Sequence, residues 1–175
     1  MIDKNEAQLS CRKPDASDGQ SVWKLVKRSG GLDVNSAYSY IMLCDMFRDT
    51  CCVVKEDERT LGFVSAFRKP SEPQTLFVWQ IAVDPILRGN GIGSKLLNEL
   101  LSREENQDIR YVEATVGPDN IASRQLFIRL AKTLGAECGI SEQYGTDLFP
   151  ESHEAELLLR IGPIQLPAGR RPRRD

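Results

Sequence analysis

Arg88-Gly89-Asn90-Gly91-Ile92-Gly93 follows the apolar run Leu76-Phe77-Val78-Trp79-Gln80-Ile81-Ala82-Val83 and leads straight into a helical pattern. Strand, glycine-rich turn and helix in that order aim backbone N–H groups, and the positive end of a helix dipole, at an anion. Gly91 and Gly93 allow the backbone to approach a phosphate closely, and Arg88 adds charge. The expected ligand carries a pyrophosphate, held by Arg88, Gly89, Asn90, Gly91, Ile92, Gly93 and Ser94. Two common phosphate loops fail on spacing. A dinucleotide turn needs G-x-G-x-x-G, but Ser94 stands where the third glycine belongs. A P-loop needs Gly-Lys-[Ser/Thr], and Gly93-Ser94-Lys95 has the order wrong.

The elements around this turn alternate. A short strand is expected near Leu9–Arg12, then helices at Ser21–Ser29, closed by Gly30-Gly31, and at Ser36–Phe47, with Asn35 as N-cap. Thr50–Glu56 and Thr60–Lys69 read as strands of an antiparallel hairpin turning at Asp57-Glu58-Arg59. Pro70–Pro73 reads as a loop, and Leu76–Val83, apolar on both faces, as a central strand covered on both sides. After the turn, Ile92, Leu96, Leu97, Leu100 and Leu101 lie on one helical face. Tyr111–Val116 reads as a strand, and Asn120 can cap a helix that ends at Gly135. Ile140–Pro150 reads as loop and Ala155–Arg160 as a final strand. The order is that of a mixed α/β domain.

Composition narrows the function. A chain of 175 residues, 41% apolar and 27% charged, is one soluble domain's worth. A net charge of −2 gives no reason to expect nucleic acid as a partner. The basic run Arg170-Arg171-Pro172-Arg173-Arg174 reads as a flexible tail. No membrane span or signal peptide is read, so no membrane partner is expected. Five cysteines, an odd number without zinc-ligand spacing, suit core packing in the cytoplasm. With His153 the single histidine, no metal is expected.

Arg-x-x-Gly-x-Gly resembles the acyl-coenzyme A signature of the GNAT acetyltransferase superfamily, and the element order resembles its fold. That resemblance implies a GNAT α/β fold, with a mixed central sheet flanked by helices and splayed fourth and fifth strands. It implies a domain over residues 11–162, between a flexible segment 1–10 and a flexible basic tail 163–175. Acetyl-CoA would be co-substrate, with the backbone of Ile81, Ala82 and Val83 along its pantetheine arm. Asn120-Ile121-Ala122-Ser123 resembles the superfamily's asparagine-led helix start, where the asparagine contacts that arm; a helix cap alone would also explain Asn120. Two departures stand out. Phe127 occupies the place of the tyrosine that many relatives use as general acid, and the fourth strand offers Phe77, Trp79 and Gln80 but no carboxylate base.

Three further blocks resemble one family within the superfamily, the L-2,4-diaminobutyrate acetyltransferases of ectoine biosynthesis. They are Asp18–Val26, Leu32–Tyr40 and Leu76–Val83, and the resemblance runs from roughly Arg12 to Arg160. It implies acetylation of the 4-amino group of L-2,4-diaminobutyrate by direct attack in a ternary complex, in a cytoplasmic homodimer. Such an acceptor needs partners for its ammonium and carboxylate groups. Candidates are Asp33, Ser36, Tyr38, Trp79, Thr115, Asp147 and His153, with Asp33 and His153 also the candidate catalytic groups. Five of these have a plainer reading. Asp33 can be a helix N-cap, Trp79 core, Thr115 an ordinary strand residue, His153 a structural group, and Asp147, like nearby Glu156, a solvated charge. Tyr38 and Tyr40 cannot share a helix face, and Tyr38 is chosen as nearer Asp33. Two rivals remain: a GNAT enzyme for another amine, and an acyl-CoA-binding module without activity.

Overall fold

The structure, a computed structural model, describes residues 9–150 and 153–165. Glu151, Ser152, most of the expected N-terminal segment and nearly all of the basic tail lie outside the described residues. Seven strands form one sheet in the order β1-β2-β3-β4-β5-β7-β6. They are β1 Ser10–Arg12, β2 Cys51–Glu56, β3 Arg59–Lys69, β4 Glu72–Val83, β5 Tyr111–Val116, β6 Cys138–Tyr144 and β7 Glu156–Ile161. The helices are α1 Gly19–Ser29, α2 Ala37–Met46, α3 Ile92–Ser102 and α4 Ile121–Thr133. β4 and β5 are parallel, whereas β1–β2, β2–β3, β5–β7 and β6–β7 are antiparallel, so the sheet is mixed. The chain divides into two compact units, one of Met1–Ser65 with Gln80–Glu99 and one of Ala66–Trp79 with Leu100–Asp175.

In the first unit, α1 buries Val22, Leu25, Val26 and Ser29, a stripe at helical spacing, and Gly30 ends it at φ 66°. Val22, Leu25 and Val26 join Tyr40, Leu43, Cys44, Cys51, Val53, Phe63 and Ala82 in one buried cluster. β3 comes close to α3 because residue 62 is glycine; a Cβ there would stand 2.9 Å from Ile92 Cγ2. That close approach seats the helix that opens at the phosphate turn. The N-cap of α2 differs from expectation. It is Ser36, with extended backbone and its Oγ accepting from the Ser39 amide at 3.3 Å, and Asn35 lies before it.

Asp84, buried between β4 and the phosphate turn, accepts from Arg28 at 2.9 Å, Arg59 at 2.8 Å and the Ile86 amide at 3.3 Å. Burial pushes its carboxyl up, but the two guanidinium groups and the amide outweigh that and hold it below the usual range. Because the folded value is the lower one, this stabilisation is complete above the unfolded value of about 4 and is lost as pH falls through the folded value. Asp84→Asn should therefore cost about 2 kcal/mol at pH 7, less than for a fully buried pair because both arginines reach solvent. Thermal melts of both proteins from pH 7 down to pH 2 should show the gap closing in acid.

In the second unit, β5 and β7 pair from Val112↔Ile161 to Val116↔Leu157. Glu113, 2% exposed, accepts from Lys69 at 2.9 Å and from Arg160, whose guanidinium also reaches Glu72 at 3.1 Å and lies over the Tyr111 ring. Two sequence expectations change in this unit. Pro73 lies within β4, which starts at Glu72 rather than after a Pro70–Pro73 loop. Cys138–Tyr144 is strand β6, although the loop reading covered most of it; its residues are almost all exposed, so pairing with β7 holds it extended with no apolar alternation.

Candidate active site

Asp84 caps a single 3-10 turn, Pro85–Leu87, that delivers the chain to the phosphate turn. Gly89 and Gly91 follow with φ of 81° and 76°, values that side chains with a Cβ rarely adopt. The first helical bond of α3 runs from the Lys95 amide to the Gly91 carbonyl at 3.0 Å. The amides of Gly91, Ile92, Gly93 and Ser94 precede it, the unpaired donors that every helix start presents. A Cβ on Gly91 would meet nothing within 4 Å, so the space over this turn is open. Arg88 is exposed, and one of its N–H groups donates to the Ser29 carbonyl at the end of α1. The guanidinium is thus tethered beside the turn with other donors to spare. Open space, free amides and a tethered cation fit a pyrophosphate.

β4 supplies an open edge. Its pairing with β5 runs from Thr75↔Tyr111 to Val78↔Ala114, while β4 itself continues to Val83. Among the described residues the β4–β5 register ends at Val78, and Ile81–Val83 take no part in it. Backbone groups on such an edge seek partners, and an amide-bearing chain laid alongside would supply them.

The acceptor candidates of the first unit lie on the loop ahead of α2 and on its first turn. Asp33 is exposed, and its carboxylate has no partner among the described residues. Because Ser36 is the cap, Asp33 is not an N-cap. Ser36 is also exposed, with its oxygen already engaged by the Ser39 amide. Tyr38 is 69% exposed and free to meet a ligand, whereas Tyr40 is fully buried. Tyr40 donates to Gln80 Oε1 at 3.1 Å and accepts from the Asn35 amide at 3.3 Å, and Gln80 Nε2 donates to the Asp33 carbonyl at 2.9 Å. Sequence reading gave neither Tyr40 nor Gln80 a site role. The available signal was a glutamine inside an apolar strand, since a buried amide must find partners.

In the second unit, Trp79 follows the last β4–β5 pair and is 43% exposed, so core packing does not account for it. Thr115, half-buried on β5, pairs with Leu158 of β7. Asn120 caps α4, its Oδ1 accepting from the Ser123 amide at 3.1 Å. The cap spends the oxygen and leaves the NH2 group to donate, so capping and ligand contact use different atoms. Phe127 is buried and has no proton to give. Asp147 is exposed on the short turn Thr146–Leu148.

His153 stacks on Phe149, with ring centroids 4.0 Å apart, and its Nδ1 lies 2.6 Å from the Glu154 carbonyl. A carbonyl only accepts, so Nδ1 carries the proton and Nε2 of the neutral ring can take another. The Cys44 thiol is ill suited to chemistry, because burial pushes it up to about 12. Among the described residues no three His, Cys, Asp or Glu side chains could hold a metal ion, and no helix is long and apolar enough to cross a membrane.

Comparison with known proteins fits this geometry. Residues 20–131 match the acetyltransferase (GNAT) family model. The chain is 49% identical over 160 residues to L-2,4-diaminobutyric acid acetyltransferase from Halalkalibacterium halodurans, covering 91% of this chain and 84% of that one. It is 40% identical to the corresponding enzyme from Halomonas elongata, covering 94% of this chain and 86% of that one. A solved structure of diaminobutyrate acetyltransferase from Paenibacillus lautus, in complex with its substrate L-2,4-diaminobutyric acid and coenzyme A, superposes with a TM-score of 0.87. That protein is 40% identical, and the match covers 93% of this chain and 99% of it. A phosphinothricin acetyltransferase from Sinorhizobium meliloti, 20% identical with a TM-score of 0.66 over 90% of this chain and 89% of that one, shares the fold. The chain belongs to the GNAT acetyltransferases and, within them, to the L-2,4-diaminobutyric acid acetyltransferase family.

Proposed function

We propose that this protein transfers an acetyl group from acetyl-CoA to the 4-amino group of L-2,4-diaminobutyrate, the N-acetylation step of ectoine biosynthesis. The observation that carries the reading is the full-length likeness to the Paenibacillus enzyme, combined with a phosphate turn whose glycines and free amides suit coenzyme A. Acetyl-CoA supplies an activated carbonyl in its thioester. The turn Arg88–Ser94 holds the pyrophosphate, the open edge of Ile81–Val83 receives the pantetheine amides, and the Asn120 NH2 group donates to the same arm. Backbone N–H groups of β4 face the charge that grows on the carbonyl oxygen.

The acceptor amine is mostly an ammonium at neutral pH and must lose a proton before it attacks. In this reading Asp33 pairs with the substrate's charge, and His153, through Nε2, accepts the proton directly or by way of a water. Ser36, Tyr38, Trp79, Thr115 and Asp147 contribute contacts to the acceptor. The new N–C bond forms as the C–S bond breaks, and the departing thiolate takes a proton from water, since Phe127 has none. The protein is also proposed to be a cytoplasmic homodimer, supported by cysteines that form no disulfide among the described residues and by the exposed Ile41 and Met46 of α2.

Turnover followed by thiol release across an acceptor panel tests the substrate. Diaminobutyrate should exceed alanine, a polyamine and an N-terminal peptide in kcat/KM by at least about a hundredfold, because only it offers both an amino-acid end for these contacts and a second amine within reach of the thioester. Preference for the polyamine or the peptide would reassign the acceptor.

A further inference from the structure

We propose that Tyr40 and Gln80 are positioning residues that clasp the Asp33–Asn35 loop to the strand along which coenzyme A is read to lie, and so set where the Asp33 carboxylate meets the acceptor. The inference rests on the proposed acceptor role of Asp33. The polarity of the relay follows from its donors. The Asn35 amide can only donate, so the Tyr40 oxygen accepts at 3.3 Å, and the single hydroxyl proton goes to Gln80 Oε1 at 3.1 Å. The Gln80 amide is thereby oriented with Nε2 toward the Asp33 carbonyl, 2.9 Å away. Two main-chain groups of an otherwise irregular loop are held by one side-chain pair.

The setting is costly for a polar pair. Tyr40 is fully buried, edge-on to Phe63 within the apolar cluster that includes Leu25 and Ala82, and Gln80 is 6% exposed. An apolar pair would fill that space without needing hydrogen bonds. What the polar pair adds is the position of the loop. Gln80 also stands next to Ile81 on β4, so the strand read as the coenzyme A rail and the loop bearing Asp33 are fixed to each other by one side chain.

Tyr40→Phe keeps the ring and removes the hydroxyl. The expected result is a KM for diaminobutyrate raised about tenfold, as loss of one buried hydrogen bond implies, with KM for acetyl-CoA and kcat nearly unchanged. Gln80→Met, similar in size but unable to tether Asp33, should give the same split. In the wild type, the Asn35 amide should be protected from hydrogen exchange and Tyr40→Phe should release it. A purely structural pair would lower the melting temperature and leave the two KM values in their wild-type ratio, which would overturn the clasp. So would a wild-type Asn35 amide that exchanges at the rate of an open loop, whether or not the variants fold. No turnover of diaminobutyrate by the wild type is a different result, and it removes the functional reading first.

Discussion

Gly91→Val is expected to leave a folded protein that no longer binds coenzyme A measurably. Residue 91 sits at φ 76°, where a β-branched side chain is strained, so the turn itself would shift. The second cause lies in the space a Cβ would occupy. Nothing stands within 4 Å of it now, and that opening is what the pyrophosphate requires. Losing the amide cradle of α3 should weaken binding at least about a hundredfold, roughly 2.7 kcal/mol. The melting temperature should fall only modestly, because Gly91 is exposed and an added side chain there points into open space. Gly91→Ala should fall between the two. Calorimetry that returns wild-type affinity for Gly91→Val would remove the cofactor assignment.

Asp33→Asn should lower kcat/KM for diaminobutyrate by roughly ten- to a hundredfold, the value of a charge-assisted contact of about 1.5–3 kcal/mol. Affinity for acetyl-CoA should hold. The melting temperature should hold as well, and here the structure sharpens the test. Had Asp33 been the N-cap of α2, asparagine would have replaced it without cost to helix or activity. Ser36 is the cap, and the Asp33 carboxylate has no partner among the described residues. Only its backbone carbonyl is held, by Gln80, and the substitution leaves that bond in place. Full activity in Asp33→Asn would therefore leave the carboxylate with no assigned role.

The parts of this protein that were legible in its sequence are those with few physical alternatives. Positive φ at Gly89 and Gly91 is strongly disfavoured for a residue with a Cβ, so the phosphate turn announces itself. A strand apolar on both faces, as Leu76–Val83 is, must be central, and β4 is the middle strand of the seven. Less legible features had near-equivalent solutions. Asn35 and Ser36 are both competent caps, and backbone geometry rather than residue type chose Ser36.

Helical spacing separates Tyr38 from Tyr40 but does not say which faces inward, because α2 is apolar around much of its circumference. β6 has no apolar rhythm because almost none of it is buried. The buried Glu113 was illegible for another reason. Its partners Lys69 and Arg160 come from distant segments of the chain, and no local pattern records that meeting. The same holds for Gln80 and the loop it tethers.

Acetylation is expected at the amine remote from the amino-acid end of diaminobutyrate. The direct measurement is NMR of the product formed from acetyl-CoA and L-2,4-diaminobutyrate by the wild-type protein. The expected product is N4-acetyl-L-2,4-diaminobutyrate, with a three-bond correlation from the C4 methylene protons to the new acetyl carbonyl and the C2 proton little shifted. A product acetylated mainly at the 2-amino group would contradict it.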